Sequence, residues 1–311
     1  MKRKTRRTII IILALAILGT SSIYVIKKIN NKKLVDANKI TEKETKSENK
    51  TNNDSERFKN IDKHVQDVIE RDTKGTDMGV FFEDLSTGKV SMKNDNKNYI
   101  AASTIKVALV MKVADLMNTG KVDENASIMY TPKCDESGTG VLQYEREKLK
   151  EPIKCKELMK LAIEHSDNIA TNMLWIKYNG VDDYIKNTVN VTRKKGNNYL
   201  TARTQALLLE RLYKNPDKNP IYNEIIKWMK NTEFHDRLDK YIPCEKVAHK
   251  VGDNEEYIHD TGIVYTKSPY ILVVYSKGED PEKIAKLSKD IYNIEKKDNN
   301  KWWWYNKNLC I

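Results

Sequence analysis

Three short segments constrain this chain more than anything else in it: Ser103-Thr104-Ile105-Lys106, Ser166-Asp167-Asn168 and Lys250-Val251-Gly252. The first supplies a serine with a lysine three residues on, one helical turn away. The second offers a hydroxyl and an amide, and the third a further cation beside a glycine. Ser-x-x-Lys on its own is weak, since it also occurs at Ser47 to Lys50 and at Ser86 to Lys89 in this lysine-rich chain. The ordered set carries the weight. Its members are far apart in sequence, so a site built from all three needs a fold that returns to the same place three times.

The hydrophobic pattern describes such a fold. Phe58, Ile61, Val65, Val68 and Ile69 have helical spacing. Met78 to Asp84 is a β-rich run, and Ser86-Thr87-Gly88-Lys89 reads as a hairpin turn into a second strand. Ser103 then opens a helix with Val107, Val110, Met111 and Ala114 on one face, ending near Gly120. Helical segments follow at Lys154 to Ile163, Asn168 to Tyr178, Ala202 to Tyr213 and Ile221 to Met229. Strands return at Val247 to Val251, Tyr257 to Thr266 and Tyr270 to Ser276, before a last helix over Pro281 to Ile294. The fold class expected is α+β: one antiparallel sheet made from strands at both ends, flanked by helices, with an all-helical insert between.

The net charge of +11 suggests nucleic acid at first sight. Nine Lys and Arg residues and no acid lie within residues 1–33, which leaves only +2 for everything beyond. The basicity belongs to the N-terminal end, and no nucleic-acid partner is expected. Thr8 to Ile26 is uncharged and apolar, and its 19 residues just reach the length of a membrane-spanning helix. Residues 1–27 are therefore expected to be an N-terminal transmembrane anchor, or a signal peptide cleaved near Gly19-Thr20-Ser21-Ser22. Ile23-Tyr24-Val25-Ile26 extends the apolar run past that point and favours the anchor. Residues 28–57 are too polar to offset their ordering entropy and read as a flexible linker. The folded domain is expected over 58–296. An aromatic tail over 297–311, with Trp302-Trp303-Trp304-Tyr305 between lysines, suits either a membrane interface or a cover for the sheet or last helix.

At the level of whole motifs the chain resembles the class A β-lactamases and related penicillin-recognising serine enzymes, which carry Ser-x-x-Lys, Ser-Asp-Asn and Lys-Thr-Gly in this order. Gly138-Thr139-Gly140-Val141-Leu142-Gln143 is similar to the segment that precedes their second motif. His165 to Asn172 continues as theirs does. Val247 to Asp253 and His259 to Val264 resemble their third motif and the strand after it. The resemblance spans roughly residues 58 to 296 and implies the β-lactamase/transpeptidase-like fold. It also implies an acyl-enzyme formed with a β-lactam or a peptidoglycan peptide, in a monomer that needs no cofactor and no metal.

On that resemblance Ser103 would be the nucleophile and Lys106 its base, provided burial keeps the amine neutral. Ser166 would pass a proton to the leaving nitrogen, and Asn168 would bind the substrate amide and Lys106. Asp167 would point inward and hold the loop. Lys250 would attract the substrate carboxylate, Gly252 would let the strand come close to the ligand, and the N–H groups of Ser103 and Asp253 would form the oxyanion hole. His249 and His259 read as structural strand residues, with no metal-ligand spacing.

Three departures from the family pattern stand out. Val251 replaces the usual Thr or Ser, and Asp260-Thr261 occupies the place where some relatives carry an Arg. The loop glutamate that frees the acyl-enzyme has no counterpart, because Tyr184 to Leu209 contains no Asp or Glu. Slow deacylation is the expected consequence. A D-alanyl-D-alanine peptidase-like penicillin-binding protein, or a sensor that stays acylated, is the alternative. The substrates of such enzymes place the domain outside the cytoplasmic membrane. Four cysteines allow three complete pairings. Cys134 with Cys155 is the favoured pair, free buried thiols are the alternative, and Cys310 is expected to be unpaired.

Overall fold

The computed structural model describes residues 59–307. The expected membrane segment and linker, together with Phe58 and Cys310, fall outside those residues. Among the described residues, no helix is long and apolar enough to cross a membrane.

Helix α1 (Lys63–Asp72) leads into β1 (Asp77–Asp84) and β2 (Val90–Lys93), followed by the short β3 (Tyr99–Ile100). After a 3-10 turn at Ala102–Ile105 comes α2 (Lys106–Asn118), then β4 (Ser127–Ile128), β5 (Ile153–Lys154) and α3 (Cys155–Glu164). Next are α4 (Asn168–Tyr178), α5 (Asp182–Val189), β6 (Tyr199–Leu200), α6 (Ala202–Lys214) and α7 (Pro220–Lys230). The chain closes with β7 (Val247–Asn254), β8 (Tyr257–Val264), β9 (Tyr270–Lys277) and α8 (Pro281–Lys307). The last helix therefore runs on past Ile294 through much of the aromatic segment.

The main sheet has five strands in the order β2-β1-β9-β8-β7, and every adjacent pair is antiparallel. The expected joining of strands from the two ends of the chain is the β1–β9 pairing, with Val80 opposite Val274. One face packs on α1 and α8 through Val65, Ile69, Val80, Leu272, Ile284 and Leu287. The opposite face receives α6, which contacts β9, β1 and β8. Phe81 and Phe82, on opposite faces of β1, are both fully buried. This two-sided burial explains why the run from Met78 to Phe82 is continuously apolar rather than alternating.

Helix α2 differs from its expected amphipathic form. Val107 to Met111, Val113 and Ala114 are all fully buried, so apolar residues occupy its whole circumference. A helix packed on every side carries its first residue, Lys106, into the interior as well. Helix α5 was not expected from the pattern, because only Ile185 and Val189 of its eight residues are buried, too few to trace a periodic stripe.

The favoured Cys134–Cys155 disulfide is not formed: both are free buried thiols. Cys155, at the start of α3, lies 3.2 Å from the Tyr178 hydroxyl of α4, and Cys134 lies 3.5 Å from Thr131 Oγ1. Each sulfur packs locally instead of bridging the segment between them.

Gly262 in β8 sits opposite His249 of β7. A Cβ there would come within 2.7 Å of both Ala248 O and His249 Cβ. Gly262→Ala is expected to lower stability by about 1–3 kcal/mol through overpacking, which equilibrium urea unfolding would measure.

Candidate active site

The 3-10 turn that carries Ser103 is clamped from several directions. Ala101 N donates to Asn198 O at 2.7 Å, and Asn198 Nδ2 donates to Ala102 O at 3.1 Å. Thr104 Oγ1 lies 2.7 Å from Ala101 O and 2.8 Å from the Tyr275 hydroxyl. These contacts hold Ala102 at φ +47°, a left-handed conformation that an alanine adopts only when its surroundings impose it. Gly252 allows the close fit. Its missing Cβ would stand 2.9 Å from Thr104 Cγ2 and 3.0 Å from Ala101 O. The bare backbone of Gly252 thereby accommodates the serine-bearing turn.

Lys106 is 4% exposed, and its ammonium is held by three acceptors. These are Ser166 O at 2.6 Å, Asn168 Oδ1 at 2.8 Å and Ser166 Oγ at 3.2 Å. Burial pushes its pKa down to about 7, against the opposing pull of the Asp167 and Glu136 carboxylates. An amine with that pKa is a working base at neutral pH.

Ser166 is also left-handed, at φ +50°, and its carbonyl accepts from Thr139 Oγ1 at 2.8 Å. Asp167 is turned inward as expected. Its Oδ1 caps α4 through Ala170 N and its Oδ2 accepts from Leu142 N, each at 2.8 Å. A Cβ on Gly140, at φ +110°, would strike Asp167 at 2.4 Å, so this loop and the second motif are fitted to each other. Asn168 turns its oxygen to Lys106 while its Nδ2 donates to Ser137 O at 3.1 Å.

Strand β7 forms the other wall. It is an edge strand bonded only to β8. Tyr265 N bonds Lys246 O, and with the register of the pair this places Asp253 at a non-hydrogen-bonded position relative to β8. The Asp253 N–H therefore points to the open edge, the side on which the oxyanion donor is expected. Lys250 is wholly buried, donates to Val251 O at 3.1 Å and lies 5.4 Å from the centre of the Phe234 ring. Burial first, and then the neighbouring Lys106 charge, push its pKa well below the usual lysine value.

Ser103, Lys106, Ser166, Asn168, Val251 and Asp253 line one open cavity of about 560 Å³, a size that suits a small-molecule ligand. Lys250 stands behind that wall and not in it. The three acids on the cavity wall are all engaged. Glu136 accepts from Asn172 Nδ2 at 2.7 Å, Asp182 pairs with Arg193 at 2.7 Å, and Asp253 pairs with Arg237 at 2.6 Å. The loop after α5 contributes Arg193, Asn197 and Asn198 to the cavity and no acid.

Arg237 escaped the sequence reading because it lies between elements and in none of the three motifs. Its side chain is 6% exposed and donates to His259 O at 2.8 Å as well as to Asp253. It brings a second cation close to Lys250, behind the strand where the neighbouring-strand Arg is missing. His259 is a structural residue: Ser276 N donates to its Nδ1 at 3.0 Å, and its Nε2 lies 2.7 Å from Ile100 O. Burial pushes its pKa down to about 4, which keeps it neutral.

The sheet order and the gathering of the three motifs define a β-lactamase/transpeptidase-like fold. The sequence model of the β-lactamase enzyme family matches residues 60–294, and the chain belongs to that family. It is similar in structure to PBP-A, with a TM-score of 0.68 and 21% identity over 75% of this chain and 96% of that one. A PBP-A variant with leucine changed to glutamate, solved as an acyl-enzyme with penicillin G, gives 0.67 and 22% over 75% and 95%. A β-lactamase from Chitinophaga pinensis gives 0.66 and 23% over 75% and 100%. No protein of curated function matches the chain in sequence.

Asp167→Ala removes a helix cap and leaves the buried Leu142 N–H unpaired. Its expected cost is about 2–4 kcal/mol, combining roughly 1 for the cap with about 1–3 for the orphaned donor. Thermal and urea unfolding would read it.

Proposed function

We propose that this protein is a serine acyl-transfer hydrolase in which Ser103 is acylated by β-lactams and released slowly. The observation that carries the reading is the Lys106 amine. It is buried, brought to a pKa of about 7, and placed one turn after Ser103 against Ser166 and Asn168. In this reading neutral Lys106 takes the Ser103 proton as Oγ attacks the lactam carbonyl. The N–H groups of Ser103 and Asp253 receive the developing oxyanion. Ser166, hydrogen-bonded to the resulting ammonium, passes the proton to the leaving nitrogen as the ring opens. Lys250, in its protonated form, supplies positive potential for the ligand carboxylate.

Deacylation requires a general base to activate water. The three carboxylates on the cavity wall are each already engaged by an amide or a guanidinium. The loop after α5 supplies none. Loss of a positioned base costs about 10² to 10⁴ in rate, so the acyl-enzyme is expected to persist. The same deficit favours a second reading, a peptidase acting on D-alanyl-D-alanine ends of cell-wall peptides, for which a β-lactam is a suicide ligand. We place the domain outside the cytoplasmic membrane as a monomer, tethered by residues 8–26. That placement follows from the apolar run and from where such substrates are found.

Incubation with penicillin G followed by intact-mass measurement tests the function. A covalent adduct that forms on the wild-type chain, is absent from Ser103→Ala and decays slowly is the expected result. Rapid, repeated turnover would contradict slow release, and the absence of any adduct would contradict acylation.

The pH dependence follows from the lowered Lys106 pKa. Below about 7 the amine is protonated and cannot act as base; above it the amine is neutral. The acylation rate is expected to rise with pH through about 7 and to level off. Stopped-flow acylation with a chromogenic cephalosporin would show this, and Lys106→Ala should remove the inflection and slow acylation by about 10² to 10⁴.

A further inference from the structure

The face of β7 opposite Lys250 carries a second cluster that the acylation chemistry does not use. His249, next to Lys250 and therefore on the other side of the strand, is completely buried. Its Nδ1 faces the Asp260 carboxylate, 2.9 Å from Oδ2 and 3.1 Å from Oδ1. Its Nε2 points at Asp239, 3.4 Å from Oδ2, yet makes no hydrogen bond. Asp239 is itself 4% exposed, and its Oδ1 has no hydrogen-bond partner either. His235, whose side chain is 48% exposed, closes the group by turning Nδ1 onto Asp239 Oδ2. One donor atom each from His235, Asp239 and His249 lies within 4.8 Å of the other two.

Asp260 is also met by the N–H groups of Leu238 and Thr261, whereas the buried Asp239 has His235 as its hydrogen-bond partner and keeps Oδ1 unpartnered. Buried carboxylates are paired or coordinate a metal. Lys250 is on the far face, and Arg237 is committed to Asp253. Two imidazole nitrogens and a carboxylate oxygen form a donor set that suits zinc. With bonds of about 2.0 Å, tetrahedral ligand atoms stand roughly 3.3 Å apart, close to the 3.4 Å between His249 Nε2 and Asp239 Oδ2. Asp260 on the far nitrogen supplies the carboxylate–histidine–metal arrangement that fixes ring orientation. The partly exposed His235 leaves one side open to solvent for entry and for a fourth ligand.

We infer that His235, Asp239 and His249 bind a zinc ion, with Asp260 orienting His249 and water completing the coordination. Binding opens the His235–Asp239 hydrogen bond and releases any proton on His249 Nε2 to solvent. The ion ties the 235–239 segment to β7, one residue from Phe234 on the cavity wall and two from Arg237. Spacing alone does not announce such a site, because the three residues are separated by three and then nine others and only the crossing of that segment over β7 unites them.

The test uses the full chain with any affinity tag removed, stripped by dialysis against a chelator. It is titrated with Zn²⁺ by calorimetry and with Co²⁺ by visible absorption. One equivalent of Zn²⁺ and the absorption bands of tetrahedral Co²⁺ are expected. His235→Ala, at a half-exposed position, should lower the melting temperature of the metal-free chain only modestly, through loss of its hydrogen bond to Asp239. It should weaken Zn²⁺ binding by roughly tenfold or more, as should Asp239→Asn. Failure of the wild-type chain to take up Zn²⁺, or equal affinity in wild type and His235→Ala, would overturn the assignment.

Discussion

Burial of one lysine amine organises this molecule. Lys106 begins a helix that is apolar on all sides, so packing that helix into the domain forces the amine inside with it. An ammonium there is costly unless it is hydrogen-bonded or gives up its proton. The fold provides for both: Ser166 and Asn168 offer oxygens, while desolvation brings the pKa near neutrality. The left-handed Ser166 and the inward Asp167 are fitted around that requirement. So is the loop at Gly140, which has no room for a side chain.

The serine is positioned by a different set of constraints that meet at the same point. Tyr275 reaches it from the sheet through Thr104, Asn198 from the loop after α5, and the backbone of β7 through the gap left by Gly252. Ala102 takes a strained conformation because these contacts overdetermine it. Strain at the residue before the proposed nucleophile fits a site whose geometry is set in advance. Asn198 belongs to the loop that lacks an acid, so that segment supports the Ser103 turn while offering no base to activate water.

Much of this could be seen in the sequence, for reasons that differ from element to element. Strands β1 and β9 were legible because they are buried on both faces and read as compact apolar runs. Ser103, Lys106, Ser166 and Asn168 were legible because each belongs to a motif whose internal spacing is local. What escaped is what depends on tertiary approach. Arg237 lies in an irregular stretch and gains its place only where it meets Asp253 and the His259 carbonyl. The fit of Gly252 against the serine-bearing turn likewise exists only once the strand meets that turn. Lys250 was expected at the cavity, and the structure buries it completely beside Val251, which does line that cavity. The cysteine pair failed for a related reason: flanking the same segment does not bring two sulfurs together.

The central claim is that Lys106 carries a neutral amine under working conditions. Its titration can be followed directly by NMR of the chain with ε-labelled lysine, the resonance being assigned by its loss in Lys106→Met. A midpoint near pH 7 is the result this account requires. A midpoint near the ordinary lysine value of about 10.4 would mean that the amine stays charged, and the base assigned to Ser103 would be the wrong one.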